Sequence, residues 1–218
     1  MTPVVELESV SKLYGSFVAL RKISLGFEQG RSYLLLGENG AGKSTLLRLI
    51  AGLFHPTHGS VRVFGEKAQD VRDRIGYMGH ASMLYDEFSG VENLRYFAGL
   101  YEERNCMAPD AALQSVGLDP ALTRSVGQYS QGMRQRASLA RVLLSKPELL
   151  LLDEPFSNMD AASARQMLDL LAGLRAQGKT ILLTTHQREL AEPIADFLVT
   201  LQAGSVASVL ETAAGTRR

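Results

Sequence analysis

The sequence predicts an α/β fold in which a mainly parallel central sheet follows antiparallel strands and is interrupted by a helical insertion. Three observations support this prediction. Apolar and polar residues alternate through about the first 30 positions, continuous apolar runs recur further on, and helix-period patterns fill the stretches between those runs. Antiparallel strands with one solvated face produce the first pattern, and strands covered on both faces produce the second.

The amino-terminal part has the period of two that is typical of half-exposed strands. Ile23, Leu25 and Phe27 alternate with polar or small residues, and residues 61–63 read Val-Arg-Val. We therefore expect an antiparallel β-subdomain built from the start of the chain and this later segment.

Four continuous apolar runs predict the strands of the central sheet. They cover residues 34–36, 149–152, 181–183 and 197–201. Because strands of a parallel sheet are covered on both faces, they have no reason to alternate, and these runs do not.

Helical periodicity occupies three stretches. Apolar residues recur at helical spacing in three groups: Val91, Leu94, Phe97 and Tyr101; then Met133, Ala137, Ala140 and Leu144; then Met167, Leu171 and Leu174, before Gly178. The first two groups lie between about residues 86 and 145, without a convincing strand, which indicates an inserted helical subdomain. We expect residues 1–218 to form a single domain whose small, polar end after about Gly204 is frayed.

The composition is that of an ordinary globular domain. Of 218 residues, 45% are hydrophobic and 21% charged, and 23 basic side chains balance 23 acidic ones. This balance disfavours nucleic acid as the main partner and direct anchoring to an anionic bilayer. The single Cys106 cannot form an internal disulfide, no signal-peptide pattern opens the chain, and no apolar run approaches 18 residues. We therefore expect a cytoplasmic chain that does not span a membrane by itself.

Residues 37–45 read G-E-N-G-A-G-K-S-T, between an apolar run and a helix-like stretch. Glycines at this spacing let the backbone curl so that its N–H groups face a polyphosphate, and the helix turns its positive end toward the same anion. This P-loop pattern predicts ATP binding, with Lys43 reaching the β- and γ-phosphates and Ser44 ligating Mg²⁺. The predicted positions are Gly37, Glu38, Asn39, Gly40, Ala41, Gly42, Lys43, Ser44 and Thr45. The alternative is a glycine-rich turn without a ligand.

Two carboxylates end the apolar run at residues 149–152. Asp153 is expected at the carboxyl edge of a strand beside the P-loop strand, where α/β sheets bind ligands, and is suited to hold Mg²⁺ opposite Ser44. Glu154 is positioned to orient and deprotonate an attacking water, a general-base role worth roughly 10² to 10⁴ in rate. The alternative for both is a solvated strand end, which the P-loop makes less plausible.

A helix start precedes these carboxylates. Residues 129–136 read Y-S-Q-G-M-R-Q-R, and Ser130 is placed to cap the helix that follows. With the motifs above, this segment resembles the nucleotide-binding domain of an ATP-binding cassette (ABC) transporter. The resemblance involves six separated motifs in the family's order and covers nearly the whole chain.

The resemblance implies further site residues. Tyr14 would stack on adenine, although the residue alone suggests a strand-end core position. Four signature positions would contact a nucleotide bound by a second subunit, which implies a head-to-tail dimer: Ser130, Gln131, Gly132 and Met133. Asp160 would lie in the loop that links the two sites, and His186 would be the switch histidine that hydrogen-bonds the γ-phosphate.

Two departures from the family pattern stand out. The signature reads Y-S-Q-G-M where the family has L-S-G-G-Q, which retains the serine and the second glycine. His80 occupies the position of a glutamine that senses Mg²⁺ and the membrane partner, so we include it among the catalytic and metal-contacting candidates. An imidazole there can still donate or accept one hydrogen bond, although with a different reach from that of glutamine.

The implied function is ATP hydrolysis coupled to transport by separate transmembrane permease subunits. A second ATP-binding subunit, expected to be another copy of this chain, would complete the site. The chain would then lie on the cytoplasmic face of the membrane. The motifs around His80, Asp153 and His186 resemble the haem-exporter subunit of cytochrome c maturation. A drug or lipid exporter and a soluble ABC ATPase of iron–sulfur cluster assembly are the alternatives. A nucleotide-gated clamp without turnover is disfavoured because it has no use for Glu154.

Overall fold

The computed structural model describes residues 3–101 and 106–216. Its strands are β1 (Pro3–Tyr14), β2 (Phe17–Glu28), β3 (Ser32–Leu36), β4 (His58–Val63), β5 (Glu66–Lys67), β6 (Ile75–Met78), β7 (Leu149–Asp153), β8 (Thr180–Thr184), β9 (Phe197–Gln202) and β10 (Ser205–Glu211). Its α-helices are α1 (Lys43–Ile50), α2 (Gly90–Ala98), α3 (Pro109–Ser115), α4 (Gln131–Leu143), α5 (Ala161–Ala176), α6 (Arg188–Ala191) and α7 (Ala213–Thr216).

The predicted antiparallel subdomain is a four-stranded sheet of order β2-β1-β4-β5. β1 pairs antiparallel with both β2 and β4, and Val5 lies opposite Phe27 on one side and Val63 on the other. Their side chains are fully buried, which explains the alternation seen in the sequence.

The central sheet has the order β10-β9-β3-β8-β7-β6. β9, β3, β8, β7 and β6 run parallel, and β10 pairs antiparallel with β9, so the prediction of a mainly parallel sheet is confirmed. Side chains of β7 alternate between two hydrophobic clusters: Leu150 and Leu152 face the helical side, and Leu149 and Leu151 face α1 and the antiparallel sheet. Both faces are covered, so the run carries no alternation.

Two expectations about this sheet were wrong. β7 does not lie beside the P-loop strand β3, because β8 is inserted between them. The end of the chain is not frayed after Gly204, because residues 205–211 form β10 on the edge of β9. A turn through Ala203 and Gly204, both with positive φ, reverses the chain. The backbone hydrogen bonds between β10 and β9 then hold this segment in place, which its polar sequence did not predict. β6 was not predicted either.

The described residues between 86 and 145 contain α2, α3 and α4, and apart from a bridge between Ser89 and Ser125 they form no β-pairing. Leu94, Leu113 and Ala137 are buried where these helices pack together. Tyr101, expected within the first helix, lies beyond its end at Ala98. Among the described residues, every helix is too short or too polar to cross a bilayer.

Candidate nucleotide-binding site

The P-loop adopts a conformation that its glycines make possible. Gly37, Gly40 and Gly42 have φ of 144°, 82° and 101°, all in the region that disfavours other residues. A Cβ on Gly37 would lie 2.3 Å from the carbonyl oxygen of Leu201, and one on Gly42 would lie 2.7 Å from that of Ala19. The space around a Cβ on Gly40 is open to 4 Å. The outer glycines therefore permit close packing, and the middle one leaves a cradle for an anion.

Lys43 begins α1 and is held against the loop. Its Nζ donates to the carbonyl oxygens of Gly37 at 2.7 Å and Glu38 at 3.0 Å, and the residue is buried. The ammonium group and the amino-terminal N–H groups of α1 thus give the loop a positive potential. This potential suits a polyphosphate.

Ser44 of α1 and Asp153 of β7 are in contact, although β8 lies between β7 and the P-loop strand β3. The Ser44 Oγ donates to Asp153 Oδ1 at 2.9 Å, because α1 packs across β8 as far as β7. Asp153 is buried at the end of its strand. A hydroxyl and a carboxylate are the oxygen donors that Mg²⁺ prefers, so this pair fits the metal that normally accompanies ATP.

Glu154 and His186 also meet. The Glu154 Oε2 accepts from the His186 backbone N–H at 3.2 Å, and Oε1 lies 3.3 Å from His186 Nε2, a close contact without the alignment of a hydrogen bond. Glu154 has a φ of 56°, unusual for a residue with a side chain. The histidine side chain is 59% exposed and the glutamate side chain 17%.

These groups share one cleft of about 410 Å³. It is lined by Tyr14, Phe17, Ala19, Asn39, Gly40, Ala41, Gly42, Lys43, Ser44, Thr45, Arg48, His80, Asp153, Glu154, Ser157 and His186. Of the candidates attributed to the chain's own nucleotide site, only Gly37 and Glu38 are not among these residues, and Glu38 lines a smaller adjoining cavity. The residues that the sequence suggested separately are therefore brought together by the fold.

The rim of the cleft corrects one interpretation of Tyr14. This residue is 44% exposed rather than part of the core, because it ends β1 at the turn to β2. Phe17, on the other side of that turn, is 59% exposed and also lines the cleft. Sequence reasoning missed Phe17, because an aromatic residue near a turn is common and only its position in the fold shows that it lines the cleft.

Arg48 is a second residue that the sequence reasoning missed. It lines the cleft, and its Nε donates to the Tyr77 hydroxyl at 3.3 Å. Burial raises the pKa of Tyr77, against the effect of that hydrogen bond, so its phenol is neutral at pH 7. Arg48 lies on α1 one turn after Ser44, and this spacing was the available signal that its side chain lies on the same face of the helix.

The signature segment lies outside this cleft. Ser130 caps α4 as predicted, with its Oγ accepting from the Met133 N–H at 3.2 Å, and both Ser130 and Gln131 are exposed. A Cβ on Gly132 would lie 2.4 Å from Ser163 Oγ at the start of α5, and that helix is capped by Asp160. The signature and Asp160 therefore form a second, neighbouring surface.

The fold and the cleft define a P-loop nucleotide-binding protein. The sequence profile described as ABC transporter matches residues 20–157, so the chain belongs to the ABC transporter family.

Curated relatives agree with this assignment. The chain is 36% identical over 211 residues to the Nod factor export ATP-binding protein I of Cupriavidus pinatubonensis, with 94% of this chain and 65% of that protein covered. It is 36% identical to the ABC transporter ATP-binding protein NatA of Bacillus subtilis, with 86% of this chain and 80% of that protein covered. It is 39% identical over 182 residues to a fluoroquinolones export ATP-binding protein of Mycobacterium tuberculosis, covering 82% and 60%. The chain thus spans less than two thirds of the first and third of these relatives.

Solved structures share the fold. A dimeric ATP-binding cassette in a post-hydrolysis state bound to ADP and Pi superposes with a TM-score of 0.85 at 26% identity, covering 95% of this chain and 98% of that one. The ATP-binding subunit of an ABC transporter gives a TM-score of 0.81 at 30% identity, covering 95% and 90%. The predicted fold, that of an ABC ATPase, is confirmed.

Proposed function

We propose that this chain is the ATP-hydrolysing subunit of an ABC exporter, that it works as a head-to-tail dimer, and that separate membrane subunits carry out the transport. The observation that supports this most is the cleft itself, where the phosphate cradle, the Ser44–Asp153 pair and the Glu154–His186 pair converge. A protein that only bound nucleotide would need the cradle but not the carboxylate that faces it.

The residues of the cleft divide the chemistry between them. The P-loop N–H groups and Lys43 hold the β- and γ-phosphates and offset the negative charge that develops during transfer. Ser44 and Asp153 would hold Mg²⁺, which would supply positive charge to offset the negative charge of the phosphates. Glu154 orients a water in line with the γ-phosphate and accepts its proton, and His186 contacts the γ-phosphate from the exposed side.

A second subunit is needed to complete the site. The described cleft is open on the side of Tyr14 and His186, and the signature residues 130–133 lie on another surface with their N-cap hydroxyl exposed. In a head-to-tail arrangement the signature of one copy closes the cleft of the other. The related cassette with ADP and Pi is dimeric, which supports this arrangement for an identical pair.

An exposed aromatic patch, which begins shortly after His80 in the sequence, supports docking of membrane subunits. Tyr85 and Tyr96 are 43% and 48% exposed, their rings meet at 5.1 Å, and Phe88 lies 5.5 Å from Tyr85. Exposed apolar patches of this kind mark interaction surfaces. Docking here would place the chain on the cytoplasmic face of the membrane.

The relatives favour export rather than a particular substrate. Two of the reported names refer to export of Nod factor and of fluoroquinolones, which agrees with the drug-exporter alternative. Haem export and cytochrome c maturation, which the motifs around His80 suggested, receive no support from these relatives.

Hydrolysis by the purified chain tests the enzymatic part of this proposal. We expect Mg²⁺-dependent release of phosphate from ATP, and a loss of roughly 100-fold or more in Lys43→Ala, because an essential phosphate contact is removed. The exposed lysine on β5 supplies the matched control, so Lys67→Ala should retain full turnover. Turnover that survives in Lys43→Ala would contradict the proposed site.

Membrane recovery tests the transport part. Cells that contain or lack the co-encoded membrane proteins are fractionated, and the chain is expected in the membrane fraction only when those proteins are present. Tyr96→Ser, which removes the most exposed ring of the patch, should lower that recovery while leaving ATP turnover in solution unchanged. A distribution that is independent of the membrane proteins would contradict the transporter assignment.

A further inference from the structure

Thr184 ends β8 between the two strands that carry the predicted site. It is fully buried, and in the register of the central sheet it lies opposite Asp153 of β7. Its hydroxyl makes two contacts: Oγ1 donates to Asp153 Oδ1 at 2.8 Å and accepts from the Glu154 N–H at 3.0 Å. One side chain therefore touches both carboxylate-bearing residues.

We propose that Thr184 is a positioning residue for ATP hydrolysis, whose hydroxyl fixes the Asp153 carboxylate and the Glu154 peptide in one arrangement. This inference rests on the proposed function. A hydroxyl suits the task because it donates one hydrogen bond and accepts another at the same atom. The donor restrains the group predicted to hold Mg²⁺, and the acceptor restrains the residue predicted to activate water.

Packing alone does not require a hydroxyl at this position. The preceding strand residues, Leu182 and Leu183, are buried and apolar, and valine fills nearly the same volume as threonine in a β-strand. A buried hydroxyl is unfavourable unless its hydrogen bonds are made, so its presence here is explained by the two contacts.

The contact to Glu154 matters because that residue has an unfavourable backbone conformation. Its φ of 56° aims the carboxylate at His186, and L-residues enter this region at a cost unless neighbours hold them there. Its N–H also lies 3.2 Å from the Thr184 carbonyl oxygen, a contact that survives any change of side chain. Removing the hydroxyl should therefore loosen Glu154 while the β7–β8 ladder persists.

The strand offers a matched control at its opposite end. Thr180 begins β8, is buried, and accepts from the Gly30 N–H at 2.9 Å through its own Oγ1. Thr180→Val and Thr184→Val remove the same atom from the same strand. Only the second substitution removes it beside the carboxylates.

The test compares turnover with nucleotide binding in the full-length chain. For Thr184→Val we expect kcat to fall 10- to 100-fold, KM for ATP to change less than about threefold, and ADP affinity without Mg²⁺ to stay within about threefold of wild type. Thr184→Ser should restore kcat to within about threefold, because it returns the hydroxyl. Thr180→Val should keep the wild-type kcat, although its Tm should fall by about as much as the Tm of Thr184→Val.

A readout that does not depend on turnover separates this inference from the proposed function. The Mg²⁺ concentration that gives half of the Mg²⁺-dependent thermal shift with ADP should rise about three- to tenfold in Thr184→Val and remain unchanged in Thr180→Val. If Thr184→Val does not fold, Thr184→Ala is measured against Thr180→Ala in the same way.

The role of Thr184 would be overturned if Thr184→Val left both kcat and the Mg²⁺ dependence unchanged, or if Thr184→Ser failed to restore kcat. Absence of turnover in the wild type would instead overturn the proposed function, and the Mg²⁺ readout would still decide this inference.

Discussion

At the scale of single residues, the site depends on a few side chains held in unusual positions. Glu154 is the clearest case, since its backbone lies in the left-handed region and its carboxylate is held beside His186. Strain of this kind persists only where neighbours impose it, and it is concentrated at functional sites. The geometry therefore supports a chemical role for Glu154 beyond that of an ordinary strand end.

Replacing this carboxylate by an amide should separate binding from hydrolysis. In Glu154→Gln, we expect phosphate release to fall roughly 10²- to 10⁴-fold, since glutamine has nearly the same shape but cannot accept a proton from water. ATP should then accumulate in the dimer, which size-exclusion chromatography detects as an ATP-dependent shift.

The control for this variant lies at the other end of the same strand. Glu148 precedes β7 and is paired with Arg74, remote from the cleft. Glu148→Gln should hydrolyse ATP at the wild-type rate. Rapid hydrolysis by Glu154→Gln would remove this residue from the proposed role.

At the scale of elements, two helix starts define the surface that should meet a second copy. Ser130 caps α4 and Asp160 caps α5, with the Ser163 N–H donating to Asp160 Oδ1 at 2.9 Å. Gly132 lies against Ser163, so the two capped ends are packed together without room for a side chain. The spacing between signature and Asp160 loop therefore depends on this one glycine.

A methyl group at this contact should disturb dimerisation more than nucleotide binding. In Gly132→Ala the added Cβ would lie 2.4 Å from Ser163 Oγ and 2.6 Å from its Cβ, so one helix start must move. We expect ATP turnover to fall about tenfold, because small displacements of contacting groups cost about that much or more. Binding of ADP to the monomer should be unchanged.

Two further variants define the cause of that loss. Gly132→Ala combined with Ser163→Gly should recover part of the turnover, since the obstructing atoms are removed. Gly173→Ala on α5, where a Cβ meets nothing within 4 Å, should leave turnover intact and stabilise the helix by about 0.5–1 kcal/mol. If Gly132→Ala and Gly173→Ala lost equal amounts of turnover, the loss could not be assigned to the contact between Gly132 and Ser163.

At the scale of the whole molecule, the end of the central sheet remote from the nucleotide is closed by a buried ion pair. Asp196 is fully buried before β9 and accepts from the Ser32 N–H at 2.8 Å and its hydroxyl at 2.9 Å. Arg175 of α5 donates to the same carboxylate. Burial acts to raise the pKa of Asp196, but the hydrogen bonds from Arg175 and Ser32 outweigh it and hold the pKa below its ordinary value.

The sign of this shift predicts how stability depends on pH. Because the folded pKa lies below the unfolded one, the stabilisation is present above the ordinary carboxyl pKa of about 3.9 and is lost as the pH falls below it. Asp196→Ala should lower the free energy of unfolding by about 3–5 kcal/mol at pH 7, since Arg175 loses its buried partner. Urea denaturation at pH 7 and pH 3 measures both effects.

The difference between wild type and Asp196→Ala should be smaller at pH 3 than at pH 7. Arg188 and Glu192 form an exposed pair that serves as the control, and Glu192→Ala should change stability little at either pH. A constant difference for Asp196→Ala across the two pH values would contradict the assigned ionisation.

The sequence predicted those parts of the site whose chemistry is local. The P-loop, Asp153 and Glu154 each follow a strand in a short pattern, so their types and spacing could be interpreted without the fold, whereas His186 was expected only from the family resemblance. Thr184 and Phe17 could not be recognised in this way. A threonine at a strand end and an aromatic residue at a turn are common, and only their neighbours in space give them meaning.

By itself the sequence determined the alternation of strands and helices, the phosphate cradle and the carboxylates that face it, because these depend on residues adjacent in the chain. Only the tertiary structure decided that β8 separates β3 from β7, that residues 205–211 form an edge strand, and that one hydroxyl joins Asp153 to Glu154. Strand order and register depend on which distant segments bury each other's surfaces most favourably. The free energy gained by this burial is a property of the assembled sheet and not of any one stretch of sequence.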